Sequence, residues 1–197
     1  MKLLHVGCGP NTKSSTTPGF SEAGWEEVRL DIDEKVKPDI VGTMTDMHRI
    51  PTASMDAIFS SHNIEHLYPH EVGQALQEFY RVLNENGFVM LTCPDLQSVC
   101  KLIAEDKLLE PAYQSPAGPI APIDMLYGFR PAIASGNVYM SHRTGFTEKV
   151  LVSTFKYFGF KSIISARREE CYDLFCIASK TKLSEDELRS LAKDHFP

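Results

Sequence analysis

The feature that most constrains this chain is its opening. A short apolar run, Leu3-Leu4-His5-Val6, stops abruptly at Gly7-Cys8-Gly9-Pro10-Asn11. Such a run reads as a buried strand, and two glycines one residue apart read as a turn that comes close to something. Lacking a Cβ, glycine lets a ligand lie directly against its peptide plane. A buried strand needs partners on both sides, and the rest of the sequence supplies them in alternation with helical patterns.

Residues 12–24 are rich in Ser, Thr, Pro and Gly, with room for a short helix at most. Residues 25–31 predict a second strand ending in Asp31, Ile40-Val41 a weak third, and residues 55–60 a fourth. Between 69 and 84, Val72, Leu76, Phe79 and Leu83 recur at helical spacing, widened by Ala75 and Val82; Asn86-Gly87 is expected to stop that helix. Residues 88–93 are apolar nearly throughout, as in a parallel strand covered on both faces. A helix is expected over 95–105, another from Thr147 to 157, and strands over 161–166 and 173–179. Ser184 and Glu187 form a capping box for a last helix. Residues 111–143 break the alternation, with five prolines, three glycines, three tyrosines and little periodicity. A loop this long in a compact domain is usually a lid or binding loop.

The alternation gives an α/β fold: a doubly wound, mostly parallel Rossmann-like sheet of about seven strands, the last antiparallel, with helices on both faces. One domain is expected over 1–197, with 106–143 as an irregular insertion. Ligands bind such sheets beyond the carboxyl ends of the strands, which selects residues 7–11, 31–33, 45–47, 60–66 and 93–96.

Composition narrows the function. Net charge is −6 and charged residues make up 23% of the chain, so no electrostatic footprint for nucleic acid or an anionic membrane is present. No run is long enough to span a bilayer, and the N-terminus does not read as a signal peptide. Five cysteines with no Cys-x-x-Cys pair read as free thiols in a reducing cytoplasm. A soluble cytoplasmic protein acting on a small molecule is therefore expected.

Gly7 and Asp31 stand 24 residues apart, close to the distance from glycine loop to ribose-binding acid in a nucleotide-binding half-fold. The third glycine of the dinucleotide pattern is missing, and so is a Gly-Lys-Ser/Thr phosphate loop. The expected ligand carries a ribose but no pyrophosphate, a description S-adenosylmethionine fits.

Five segments in order resemble the class I S-adenosylmethionine-dependent methyltransferases, most closely the small bacterial methyltransferase-domain proteins: residues 4–9, 30–33, 45–47, 61–67 and 79–87. The resemblance implies that Gly7, Cys8 and Gly9 approach the methionine part and ribose, Asp31 holds the ribose hydroxyls, Asp46 accepts from the adenine amino group and Met47 meets the ring. Ser61 and His62 would lie near the sulfonium. His5 stands where the family usually has an acid that anchors the cofactor's amino group, and Asn11 where it has a third glycine. For in-line methyl transfer to a small-molecule acceptor, the candidate bases are His62, His142 and Asp95, with Asp124 and Tyr127 as positioning groups. Residues 106–143 are expected to cover the acceptor.

Three rivals share these residues. A nicotinamide oxidoreductase would use the same strand-2 acid, but the missing third glycine counts against it. A binding module without catalysis would tolerate His5. His62-x-x-Glu65-His66 matches the His-x-x-Glu-His pattern of inverted zinc peptidases, which needs an α-helix and a third ligand; Glu71 and Glu78 are the local options. No metal site is expected on this reading.

Overall fold

The computed structural model describes residues 1–197. Its strands are β1 (Lys2–Val6), β2 (Glu26–Asp31), β3 (Ile40–Val41), β4 (Met55–Ser61), β5 (Leu83–Pro94), β6 (Tyr113–Ser115), β7 (Gly118–Ile120), β8 (Ser162–Arg168) and β9 (Asp173–Ser179). Seven of them form one sheet in the order β3-β2-β1-β4-β5-β9-β8, and β6 and β7 pair as a separate hairpin. All neighbours in the large sheet run parallel except β9, which is antiparallel to both β5 and β8. The expected doubly wound sheet with an antiparallel last strand is present. The helices are α1 (Pro18–Ser21), α2 (Val72–Val82), α3 (Leu96–Ala104), α4 (Pro122–Tyr127), α5 (Arg130–Ala134), α6 (Glu148–Tyr157) and α7 (Glu185–His195).

Side chains that alternate along the strands build two cores. Leu4, Val6, Ile58, Val89 and Leu91 face α2 and α6, whose Leu76, Phe79, Leu151 and Phe155 complete a cluster of 25 buried residues. Leu3, Phe59, Met90 and Ile177 face the other way, against Phe20 of α1 and Leu191 of α7. Both faces are thus covered, which is why β5 is apolar nearly throughout. No helix is long and apolar enough to cross a membrane.

Several boundaries differ from the sequence reading. Helix α2 ends at Val82, because Leu83 turns extended (φ −66°, ψ 137°) and buries its side chain in the core. Asn86 and Gly87 lie inside β5, next to a register irregularity against β4. A Cβ on Gly87 would come 2.8 Å from the Leu83 side chain, so the glycine accommodates that irregularity. Residues 111–143 are more regular than their composition suggests. Pro122 and Pro131 occupy the first turns of α4 and α5, where a missing N–H costs nothing. Thr147 caps α6 by accepting from Val150 N–H, and Ser184 and Glu187 form the expected capping box on α7.

The last helix is fastened by a buried histidine. Thr17 Oγ1 and His195 Nδ1 lie 2.6 Å apart, and the imidazole packs on Phe20 with ring centroids 4.2 Å apart. Burial pushes the His195 pKa down to about 4, against a small opposing pull from Asp194. The unfolded chain, with an ordinary imidazole near 6.5, therefore binds one more proton than the folded chain between those values. The stability from keeping His195 neutral is present above about pH 6.5 and is lost as pH falls towards 4. Between pH 7 and 4, denaturant unfolding of the native protein should lose roughly 2–3 kcal/mol more than unfolding of His195→Asn. Equal losses would show that this imidazole does not couple folding to pH.

Candidate active site at the carboxyl edge of the sheet

The turn after β1 is held from three sides. From β2, Leu30 O accepts from Gly7 N–H at 2.8 Å and from Cys8 N–H at 3.3 Å. From the turn after β4, Asn63 Nδ2 donates to Val6 O at 3.1 Å and to Gly7 O at 3.4 Å. Also from β2, Arg29 donates to Gly9 O at 2.7 Å and Asn11 O at 3.0 Å, and reaches Lys37 O at 3.1 Å in the β2–β3 connection. Sequence reasoning missed Arg29. The available signal was alternation, since Glu27, Arg29 and Asp31 share one face of β2.

The two glycines do different work. Gly7 (φ 64°) is required by packing: a Cβ there would lie 2.1 Å from Asn63 Oδ1. Gly9 (φ 53°) has nothing within 4 Å of the missing Cβ, so its backbone faces open space. That leaves open space beside Asp31. Asp31 accepts from Gly9 N–H at 2.7 Å through one oxygen and from Asp33 N–H at 2.9 Å through the other. A carboxylate has about four lone-pair directions, which leaves capacity for ribose hydroxyls. A ribose-bearing ligand without phosphates, such as S-adenosylmethionine, fits these residues.

The remaining sequence candidates fall into distinct places. Cys8 is buried, and Asn11 is exposed without left-handed geometry. His5 lies in the second core, edge-on to Phe59, with Nδ1 2.8 Å from Glu27 Oε1. Burial lowers its pKa and Glu27 opposes that, with a net shift downward. Asp46 is exposed and pairs with His48 at 3.0 Å. Met47 is 1% exposed within the main core; its N–H donates to Glu78 and its carbonyl accepts from Arg81. Of that turn, the Asp46 side chain and the backbone are available to a ligand, and the Met47 side chain is not. Ser61 Oγ lies 2.7 Å from Thr92 Oγ1.

Of the three candidate bases, Asp95 is set apart from the other two. Its carboxylate is fully buried, caps α3 by accepting from Gln97 N–H, takes the Ser98 hydroxyl and meets Arg167. It is a structural cap with no free face. His62 and His142, far apart in sequence, line one cavity of about 340 Å³ together with Glu65 and His66. Nine of its 15 lining residues come from 106–143, including Tyr113, Asp124, Met125 and His142. Asp124 is not free for a ligand, because Arg130 holds it through both oxygens at 2.7 and 3.1 Å. Tyr127 points outward, 62% exposed.

His62 (φ 53°) follows β4 directly and lies between two buried carboxylates. Nδ1 is 3.3 Å from Glu65 Oε1 and Nε2 is 3.3 Å from Asp173 Oδ2. Burial alone would lower its pKa; the two carboxylates outweigh burial and raise it to about 9. Asp173 was not legible as a site residue. It begins β9, and only the antiparallel direction of that strand puts a strand start at this edge. Burial drives the pKa of His142 down, so its imidazole is neutral at pH 7. The His62–His66 stretch is one 3-10 turn (Ile64–His66), not the α-helix that an inverted zinc peptidase needs. Glu71 accepts from Tyr68 N–H, and Glu78 pairs with Arg81, so neither supplies a third ligand.

Comparison with known proteins agrees with this geometry. A family model described as a methyltransferase domain matches residues 4–91, from β1 into β5. A search of curated proteins finds no match. Among solved structures, a Thermotoga maritima S-adenosylmethionine-dependent methyltransferase described as a possible histamine N-methyltransferase superposes with a TM-score of 0.59 at 13% identity, covering 91% of this chain and 82% of that one. A Pyrococcus horikoshii protein gives 0.63 at 16% identity, covering 91% and 82%. A Burkholderia thailandensis 1,6-didemethyltoxoflavin N1-methyltransferase, solved with its substrate and S-adenosylhomocysteine, gives 0.56 at 16% identity, covering 92% and 71%.

The contrast between the glycines is testable. Gly7→Ala should lose at least about 2–3 kcal/mol of stability, from left-handed strain plus overlap with Asn63. Gly9→Ala should lose only about 1–2 kcal/mol, and should weaken S-adenosylhomocysteine binding. Arg29→Met should weaken that binding by about tenfold while β2 stays folded. Denaturant unfolding and calorimetry read these effects, and similar stability losses for both glycine variants would contradict the assignment. A methyltransferase-domain model thus matches residues 4–91, and the sheet continues beyond them in the architecture shared with solved S-adenosylmethionine-dependent methyltransferases.

Proposed function

We propose that the protein methylates a small molecule held in the cavity under residues 106–143. The observation that carries this reading is the shared wall between cofactor loop and cavity. His62 lines the cavity, and the next residue, Asn63, clamps Gly7. A pocket of about 340 Å³ suits a small metabolite rather than a folded macromolecule.

Bound S-adenosylmethionine supplies an electrophilic methyl group on a sulfonium. The chain's own residues supply alignment and dryness. Gly9 and Asp31 would hold the nucleoside end. The β6–β7 hairpin and α4 close the cavity with Tyr113, Ile120 and Met125, which exclude water. Burial pushes the Tyr113 hydroxyl up to about 12, so it stays protonated and can donate to an acceptor. Neutral His142 offers a lone pair that can take a hydrogen bond, and then the proton, from an acceptor O–H or N–H. His62 is fixed by Asp173 and Glu65 and presents a rigid edge at the boundary between loop and cavity.

Release of S-adenosylhomocysteine from S-adenosylmethionine, screened against a panel of phenols, amines and carboxylic acids, tests the reading. At least one small acceptor should support turnover. Met125→Trp, which fills the cavity, should reduce that turnover by at least about tenfold and leave the S-adenosylhomocysteine Kd within about threefold. Turnover with a protein or RNA acceptor alone, or a Met125→Trp variant with undiminished turnover, would overturn it.

A further inference from the structure

The His-x-x-Glu-His motif gains in the fold what it lacks in the sequence. His142, delivered by the end of the 106–143 segment, comes beside Glu65 and His66, and one donor atom from each of the three lies within 4.8 Å of the others. The carboxylate among them is unusual. Glu65 is 1% exposed, and neither of its oxygens has a hydrogen-bond partner; the nearest group is His62 Nδ1, 3.3 Å from Oε1. His62 supplies a counter-charge on the Oε1 side only, so Oε2 keeps unfilled lone pairs whose burial is costly unless a further donor or cation completes them.

The two imidazoles are already oriented. His66 Nδ1 lies 3.2 Å from Ser141 O, and His142 Nδ1 lies 2.8 Å from Met125 O. A carbonyl can only accept, so each Nδ1 carries the proton and each Nε2 is left with its lone pair. A backbone carbonyl fixing the far nitrogen is the usual support for a metal-bound histidine. The rings are neighbours, with centroids 5.0 Å apart. Both line the cavity with Glu65, so a centre between them would open into it.

We propose that Glu65, His66 and His142 form a site for a divalent first-row transition cation, open towards the cavity. Two imidazoles and one carboxylate suit Zn²⁺, Co²⁺, Mn²⁺ or Fe²⁺, while Mg²⁺ and Ca²⁺ prefer all-oxygen ligands. Bonds of about 2.1 Å in tetrahedral geometry put donor atoms about 3.4 Å apart, so a separation of up to 4.8 Å closes by side-chain rotation of about 1 Å. His62 is a positioning residue, steadying one carboxylate oxygen while the other ligates. Three protein ligands leave a position open, and it would take an oxygen or nitrogen donor from the cavity's occupant; with the cation bound, the His142 lone pair is used as a ligand and the cation, not His142, makes the acceptor's proton easier to lose. The role of that open position rests on the methyltransferase reading; the cation site itself does not.

Titrating chelator-treated protein with Co²⁺ and following visible absorption tests the site. One equivalent per chain should bind with a nitrogen/oxygen-type spectrum, be displaced by Zn²⁺ and be unaffected by millimolar Mg²⁺. Glu65→Gln and His142→Ala should each weaken binding by at least about tenfold. If these variants do not fold, ¹⁵N histidine spectra of the native chain decide: Zn²⁺ should shift His66 and His142, and shifts confined to His48 or His70 would overturn the assignment. No saturable Co²⁺ binding, undiminished binding in the folded variants, or a thiolate-to-cobalt band from Cys100 or Cys171 would equally overturn it. Calorimetry with S-adenosylhomocysteine reports the cofactor loop separately. Protein that binds S-adenosylhomocysteine but no Co²⁺ loses only the metal site, and the converse loses only the methyltransferase reading.

Discussion

The parallel pairing of β1 with β4 is the constraint on which the site depends. It aligns Val6 with Ser60 and brings the turns after the two strands side by side. Asn63 then crosses from one turn to the other, donating to Val6, Gly7 and Ser61 carbonyls. The crossing explains why Gly7 must be glycine, and His62, one residue earlier, has a left-handed backbone at the cavity wall. The glycine turn and the histidine cluster are therefore two sides of one clamp. Loosening Asn63 would disturb both.

Electrostatics reinforces that geometry. Arg29 neutralises a row of carbonyls from the glycine loop and the β2–β3 connection, which the folded loop would otherwise leave facing one another. On the far side, Arg168, Asp173, His62 and Glu65 form a chain of alternating charge across three strand ends. Buried chains of this kind add little net stability, because desolvation offsets most of the attraction. Their effect is to hold side chains in one arrangement, which is what a methyl-transfer site requires.

Legibility differed sharply along the chain. The turn after β1, the place of Asp31 at the end of β2 and the strands of the first half were readable because local signals coincide there: a short apolar run, paired glycines and an acid at a fixed distance. Helix caps at Thr147 and Ser184 were readable for the same reason, since a cap is a contact within three residues. Asp95 misled because its position after strand 5 suited catalysis, yet a capping residue and a base occupy the same place in a sequence. Met47 gave no hint that its side chain turns inward. Residues 111–143 looked irregular because prolines, read without knowing the helix starts, signal only a break.

The sequence by itself determined the architecture and pointed to a ribose-bearing ligand, because hydrophobic period, glycine placement and the Gly7-to-Asp31 spacing are properties of neighbouring residues. Tertiary structure alone decided the second half of the site. His142 meets Glu65 and His66 across a long stretch of chain, and Asp173 reaches His62 only because β9 runs antiparallel. No local spacing encodes such contacts; they follow from which strand ends share an edge of the sheet and from a hairpin and two short helices folding over it.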